Sequence, residues 1–300
     1  MTPLNVALVG MGRWGLNYLR LLSQQHNVSY VVNRSTAKFT DDLVGAHPDT
    51  AFITDLSTAL KDDRIDSVFV ITPAHTHYDI ALKALEHGKH VFVEKPFTLN
   101  LEQAESLLRQ ADQVERVLMA GHIFYYTDAC RRIREKADTV PLGRVTLSWR
   151  KFGTFHEPIT RTLLPHDLYI LLDLFGECQE WRVTNKECPL EDDRIDILEL
   201  AMKFTGGATA DILLDRTCEG EKHRAGEYHF NDHTVLRWDN HTLIGEDGLE
   251  HVQLSEPLKD MIDDFICRIE SSSNCTDNER LACMMVSVVE DIEASLGISS

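Results

Sequence analysis

The sequence predicts an α/β protein: a doubly wound parallel-sheet domain over residues 1–122, then an α+β domain over 123–300 with a mainly antiparallel, open sheet. Three observations predict it. The apolar run Val6-Ala7-Leu8-Val9 passes directly into Gly10-Met11-Gly12-Arg13-Trp14-Gly15 and then into a helical pattern from Leu16 to Leu22. Short apolar strands alternate with helical patterns as far as Ala120. Beyond His122 that rhythm gives way to several alternating strands in succession.

Each glycine of the first turn has a physical reason. Gly10 makes the tight turn, Gly12 lets the backbone approach a pyrophosphate, and Gly15 lets the helix pack closely on the strand. Phosphates lie at the helix N-terminus, where free N–H groups and the helix dipole favour negative charge. Arg13 and Trp14 belong to the same loop; Trp14 packs either beside the cofactor or between helix and strand. Val28–Val32, Ala51–Ile53 and Ser67–Ile71 read as the next strands, separated by helical patterns. Thr76–Glu86 carries Ile80, Leu82 and Leu85 at helical spacing and stops at Gly88, before the strand His90–Val93. Asn100 with Gln103 forms a capping box for the helix Leu101–Val114, and Arg116–Ala120 is the following strand. This is the Rossmann arrangement.

The second domain opens with a helix over Thr127–Ala137, a strand over Val145–Phe152 and a helix over Pro165–Leu174. Trp181–Lys186, Ile195–Phe204, Ala208–Arg216 and Glu227–Phe230 read as antiparallel strands, with Gly206-Gly207 as the hairpin turn between the middle two. Ser271–Ser273 is a short loop between the helices Leu258–Glu270 and Asn278–Leu296. The open sheet face needs cover, so a homodimer or homotetramer through this sheet is expected.

Composition narrows the function. Thirty basic against 48 acidic residues leave a net charge of −18, which repels nucleic acid and anionic membranes. No apolar run reaches membrane-spanning length and no secretory signal pattern precedes the first strand, so a cytoplasmic protein is expected. The seven cysteines (130, 178, 188, 218, 267, 275 and 283) lack zinc-site spacing and read as free, mostly buried thiols. His223, His229, His233, His241 and His251 are scattered without metal-ligand spacing, and Trp149, Trp181 and Trp238 read as core or sheet-face residues. No metal is expected.

Motifs further along the chain are more specific than the glycine loop. His90-Val91-Phe92-Val93-Glu94-Lys95-Pro96, followed by a helix, resembles the signature of the Gfo/Idh/MocA oxidoreductase family. Thr72-Pro73 with His77, Gly121-His122 with Tyr126, and Pro165-His166-Asp167-Leu168 match that family in the same order. The resemblance covers nearly the whole chain and implies NAD(P)-dependent oxidation or reduction of a sugar or sugar derivative. From Gly153 to Phe175-Gly176 the chain is most similar to the nucleotide-sugar dehydrogenase branch, which implies reaction at C3 of a nucleotide-linked sugar.

The resemblance assigns Thr72, Pro73, His77, Glu94 and Lys95 to the cofactor, and His122, Tyr126, Thr162, His166 and Lys95 to the substrate. Histidine serves as base for a hydroxyl proton and as acid in the reverse direction, since its ordinary pKa of about 6.5 lies near working pH. His166 takes that role on the resemblance, with a helix-terminus histidine as the structural alternative. Lys95 ends a parallel strand, where such sheets place ligands, and its ammonium can stabilise a developing alkoxide. One departure stands out: Thr162 occupies the position where many family members carry an aspartate. A dinucleotide-sensing protein with weakened chemistry is therefore an alternative, as is an imine or non-sugar ketone reductase. At the end of the second strand Asn33-Arg34-Ser35 offers no carboxylate against a 2′-phosphate. Arg34 and Ser35 can bond one while Asn33 can bond a free hydroxyl, a balance tilted slightly toward NADP over NAD.

Overall fold

Strands with an unbroken apolar sequence bury both faces only in a parallel sheet covered on each side. The computed structural model describes residues 3–152, 157–190, 194–245, 247–271 and 277–298. In it β1 (Asn5–Val9), β2 (Asn27–Val32), β3 (Ala51–Ile53), β4 (Ser67–Val70), β5 (His90–Glu94) and β6 (Leu118–Gly121) form one parallel sheet, ordered β3-β2-β1-β4-β5-β6. All four residues of β4 are buried. The order reverses between β1 and β4, the switch point beyond whose strand ends a ligand crevice forms.

Helices α1 (Arg13–Gln25), α2 (Asp41–Ala46), α3 (Leu56–Leu60), α4 (His77–Glu86) and α5 (Leu101–Val114) connect these strands. The cap expected for α5 forms: Asn100 Oδ1 accepts from the Gln103 N–H at 3.0 Å. The reciprocal bond shifts by one residue, Gln103 Oε1 accepting from Leu99 rather than from the cap residue.

The second sheet is built from β7 (Leu142–Arg150), β8 (Cys178–Glu187), β9 (Ile197–Phe204), β10 (Thr209–Asp215), β11 (His223–Phe230), β12 (Val235–Asp239), β13 (Thr242–Ile244) and β14 (Glu250–Val252). Their order is β14-β13-β12-β11-β7-β10-β9-β8. Alternation sets the faces: Val145, Leu147 and Trp149 of β7 are buried, whereas Arg144, Thr146 and Arg150 are exposed. With α6 (Asp128–Ala137), α7 (Ile159–Thr162) and α8 (Leu164–Phe175), this sheet forms the second compact unit.

Gly206 and Gly207 make the turn from β9 to β10 at φ of +84° and +88°, a conformation that favours glycine. The structure adds the pairings that the sequence reading left open: β10 runs parallel to β7, and β11 pairs antiparallel with β7 and β12. The strands β12–β14 also extend the sheet beyond the last one read from sequence. They are only three to five residues long, too short for alternation to separate them from loop.

The outer face of this sheet is polar and ion-paired, with Arg144 2.9 Å from Asp211 and Arg237 2.9 Å from Glu227. Trp149 and Trp238 are core residues, and Trp181 is half-buried. The cysteines are less buried than their type predicts. Cys130 and Cys283 are inside, but Cys188 and Cys267 are exposed, after the edge strand β8 and on the solvent side of a helix. Gly153, Ser272, Ser273 and Cys275 lie outside the described residues.

Two helices close the chain, α9 (Pro257–Glu270) and α10 (Asp277–Leu296). The first compact unit runs through His122 and takes in Leu258–Val286; the second comprises Ile123–Pro257 and the chain from Ser287. α9 completes the first core, where Phe265 meets Phe69 and Phe92 edge-on at 5.2 and 5.7 Å. Among the described residues no helix is long and apolar enough to cross a membrane.

Candidate active site

The glycine turn opens a cleft of about 800 Å³ at the switch point of the first sheet. Gly10 sits at φ +107°, and a Cβ there would lie 2.3 Å from the Ile71 carbonyl oxygen. A Cβ on Gly15 would lie 2.1 Å from the Gly10 carbonyl oxygen. Both positions demand glycine to bring backbone against backbone. Gly12 is different: a Cβ there would meet no protein atom within 4 Å. Gly12 precedes α1 and provides no side-chain cap, so the first N–H groups of a 13-residue helix are open to an anion. Bare backbone, a helix start and adequate volume fit a dinucleotide pyrophosphate.

Asn33 holds this loop rather than projecting from it. Its Oδ1 accepts from the Met11 N–H at 3.2 Å, and its Nδ2 donates to the Ser35 carbonyl at 2.7 Å. Ser35 Oγ accepts from the Ala37 N–H at 3.2 Å, starting a 3₁₀ turn over Thr36–Lys38. That turn carries Lys38 to the cleft lining, beside Arg34. Arg13, Arg34, Lys38 and His75 line the cleft and, among the described residues, no carboxylate does, in a chain with a net charge of −18. Gly10, Gly12, Arg13, Trp14, Asn33, Arg34, Ser35, Thr72 and Pro73 all meet here. Sequence reading missed Lys38 and His75. Lys38 follows from the basic residue four places after Arg34 only once the 3₁₀ turn is known.

Other expected residues support the cleft without lining it. His77 is buried, with Nδ1 2.7 Å from the Pro96 carbonyl and Nε2 2.7 Å from the Thr72 carbonyl. Carbonyls only accept, so each contact needs a proton on that ring nitrogen. His77 thereby ties the turn after β4 to the turn after β5. Glu94 accepts from the Tyr18 hydroxyl of α1 at 2.6 Å and from the Lys95 N–H at 2.9 Å. Burial raises the Glu94 pKa against those two bonds and the Lys95 charge. Lys95 is half-buried at the end of β5, and Gly121 of β6 pairs with Glu94. His122 follows Gly121 and is buried; desolvation, aided by the Lys95 charge, brings it down to about 3. It is therefore neutral at working pH.

The second unit builds its own constellation around His166, near the start of α8. The His166 ring stacks on Trp149 of β7 at 5.1 Å and meets Phe124 edge-on at 5.0 Å. Arg224 of β11 stands opposite Trp149 in the strand pairing. Its guanidinium lies 3.9 Å from the Trp238 ring centroid, and its Nε donates to Asp167 Oδ1 at 2.9 Å. Arg224 and Asp167 are almost fully buried. Asp167, adjacent to His166, thus anchors α8 to the sheet and holds the histidine against its aromatic bed. The Thr162 hydroxyl, at the end of α7, donates to the Pro158 carbonyl at 3.1 Å. Tyr126 is half-buried and meets Tyr125 edge-on at 5.6 Å. Lys95 belongs to the first unit and His166 to the second.

Residues 4–122 match the profile of Gfo/Idh/MocA, an oxidoreductase family with an NAD-binding Rossmann fold. The scyllo-inositol 2-dehydrogenase (NAD(+)) of Bacillus subtilis is 28% identical, over 97% of this chain and 90% of its own. The UDP-N-acetylglucosamine 3-dehydrogenase of Acidithiobacillus ferrooxidans is 27% identical, over 60% of this chain and 58% of its own. The 2,7-anhydro-N-acetylneuraminate hydratase of Mediterraneibacter gnavus is 25% identical, over 50% and 44%. The chain spans about half the length of these last two relatives. Among solved structures, the Acidithiobacillus enzyme aligns with a TM-score of 0.87 at 20% identity, covering 98% of each chain. A protein of gentamicin A biosynthesis, in complex with NAD, aligns at 0.84 and 20% identity, over 99% and 95%. At such identity the likeness is one of fold.

Proposed function

Because its residues 4–122 make the chain a member of the Gfo/Idh/MocA oxidoreductase family, we propose that it transfers a hydride between a nicotinamide dinucleotide and a hydroxyl or carbonyl carbon of a sugar or nucleotide-linked sugar. The observation that carries this reading is the glycine-walled cleft, with its open helix start and cationic lining. The names of two relatives, an inositol dehydrogenase and a nucleotide-sugar dehydrogenase, support a polyhydroxylated substrate.

When bound, the dinucleotide supplies the hydride acceptor or donor. Gly10, Gly12 and the N–H groups opening α1 would hold the pyrophosphate, and Thr72 and Pro73 line the same cleft beside Gly10. Arg34 and Lys38 would meet the adenosine end, where two cations and, among the described lining residues, no carboxylate favour NADP over NAD. Lys95 donates to the reacting oxygen and stabilises its alkoxide character. In the oxidative direction His166 takes the hydroxyl proton at a ring nitrogen while the C–O bond becomes a carbonyl; in reduction it returns that proton. Self-association through the outer face of the eight-stranded sheet belongs to the same reading, and sedimentation velocity tests it.

The decisive experiment screens the purified protein with both cofactors against sugars and nucleotide sugars. Turnover is expected, falling about 10²- to 10⁴-fold in His166→Asn. A protein that binds the dinucleotide but turns over no member of the panel overturns the oxidoreductase reading in favour of a sensor, the outcome consistent with an uncharged Thr162.

A further inference from the structure

Lys222 stands two residues before Arg224, ahead of the start of β11. Its ammonium lies 5.0 Å from the Trp149 ring centroid and 5.2 Å from that of Phe124. The same two rings hold His166 at 5.1 and 5.0 Å. Lys222 and the imidazole therefore border one aromatic bed and are no more than twice those distances apart, a span within reach of one substituted hexose. Contact with a ring face positions a cation without neutralising it.

Among the described residues no carboxylate forms an ion pair with Lys222. Asp167, a carboxylate whose charge acts on it, is engaged by the Arg224 guanidinium through Oδ1. Against the single charge of Asp167 stand Lys222 itself and Arg224, so positive charge is in local excess there within an acidic chain. Partial desolvation and the like charges of Lys151 and Arg224 bring Lys222 down to about 8. The residue remains exposed, so a solute can reach it. A neutral hydroxyl would leave the excess charge uncompensated, whereas a carboxylate or phosphate oxygen forms a charge-assisted bond about twice as strong as a neutral one.

We propose that Lys222 is a substrate-specificity residue, whose ammonium takes an anionic oxygen, carboxylate or phosphate, carried by the sugar that reacts at His166. The inference rests on the hydride-transfer role given to His166 and adds an acidic substituent to the substrate.

The test compares kcat/KM for glucose, glucuronate and glucose-6-phosphate with saturating dinucleotide, in the wild type, Lys222→Met and Lys222→Arg. Calorimetric titration of both acidic sugars accompanies it. An acidic sugar is expected to be preferred. The acidic-to-neutral ratio is expected to fall about tenfold or more in Lys222→Met and to be largely kept in Lys222→Arg. The larger fall, with glucuronate or with the phosphate, identifies the oxyanion. A ratio unchanged in Lys222→Met overturns the proposal even where His166→Asn abolishes turnover, and leaves the oxidoreductase reading standing. Lys222-dependent binding of an acidic sugar with no turnover upholds the anion site and overturns hydride transfer. If neither glucuronate nor glucose-6-phosphate binds, the proposal is overturned.

Discussion

The cleft of the first unit and the His166 constellation of the second solve different problems with different materials. The cleft is made of backbone: Gly10, Gly12 and Gly15 act by lacking side chains, and the first turn of α1 supplies donors. The His166 constellation is made of side chains: Trp149, Phe124, Asp167 and Arg224 come from four separate places in the chain to hold one imidazole. A backbone site suits a ligand whose recognised part, a pyrophosphate, is always the same. A side-chain site can be altered residue by residue to suit different substrates.

This contrast can be broken at several points. The largest expected effect is at Asp167→Ala, which leaves Arg224 buried and unpaired. A loss of about 3–5 kcal/mol is expected in urea denaturation, along with loss of the His166 environment. A loss below about 1 kcal/mol would show that the pair does not anchor α8.

Next comes a paired test of the cleft. Gly10→Ala forces a Cβ against the Ile71 carbonyl at a positive φ, and a loss of roughly 1–3 kcal/mol or more is expected in thermal unfolding. Gly12→Ala meets nothing in the protein, so folding stability should hardly change while dinucleotide affinity falls. Equal behaviour of the two variants would remove the distinction between a glycine that shapes the loop and one that admits the ligand.

A smaller effect concerns pH. His122 is held at about 3 in the folded chain, against about 6.5 unfolded. Between those values the unfolded state binds the additional proton, so stability rises with pH through this window and is fully present above it. The contribution is lost on acidification, by up to about 1.4 kcal/mol per pH unit. The wild-type minus His122→Gln difference in stability, measured from pH 6.5 downward, should show that slope; a flat difference would place His122 in a more solvated setting.

The smallest effect is expected at the adenosine end. Arg34→Ala and Lys38→Ala should each weaken NADPH several-fold more than NADH, by loss of an exposed charge-assisted contact of about 1 kcal/mol. Equal losses for both cofactors would remove the preference for NADP.

Much of the first unit was legible because its signals are local. The turn between β1 and α1, the Asn100 cap and the apolar β4 each depend on a few adjacent residues, and each appears at its expected place. The second unit was legible strand by strand but not in its pairing. Nothing in the residues of β10 marks β7 as its parallel neighbour, and β12–β14 are too short to register as strands. Lys95 and His166 were visible as motif residues. Lys38 and Lys222 were not, since a lone lysine acquires a role only from what folding brings beside it.

Sequence by itself determined the dinucleotide-binding architecture, because glycine spacing and hydrophobic period act within one turn or one strand. Tertiary structure alone decided that Asn33 braces the loop, that Asp167 is spent on Arg224, and that Lys222 shares an aromatic bed with His166. Those relations join residues from 22 to 98 positions apart, and contact across such separations is set by strand order and register, which no local pattern encodes.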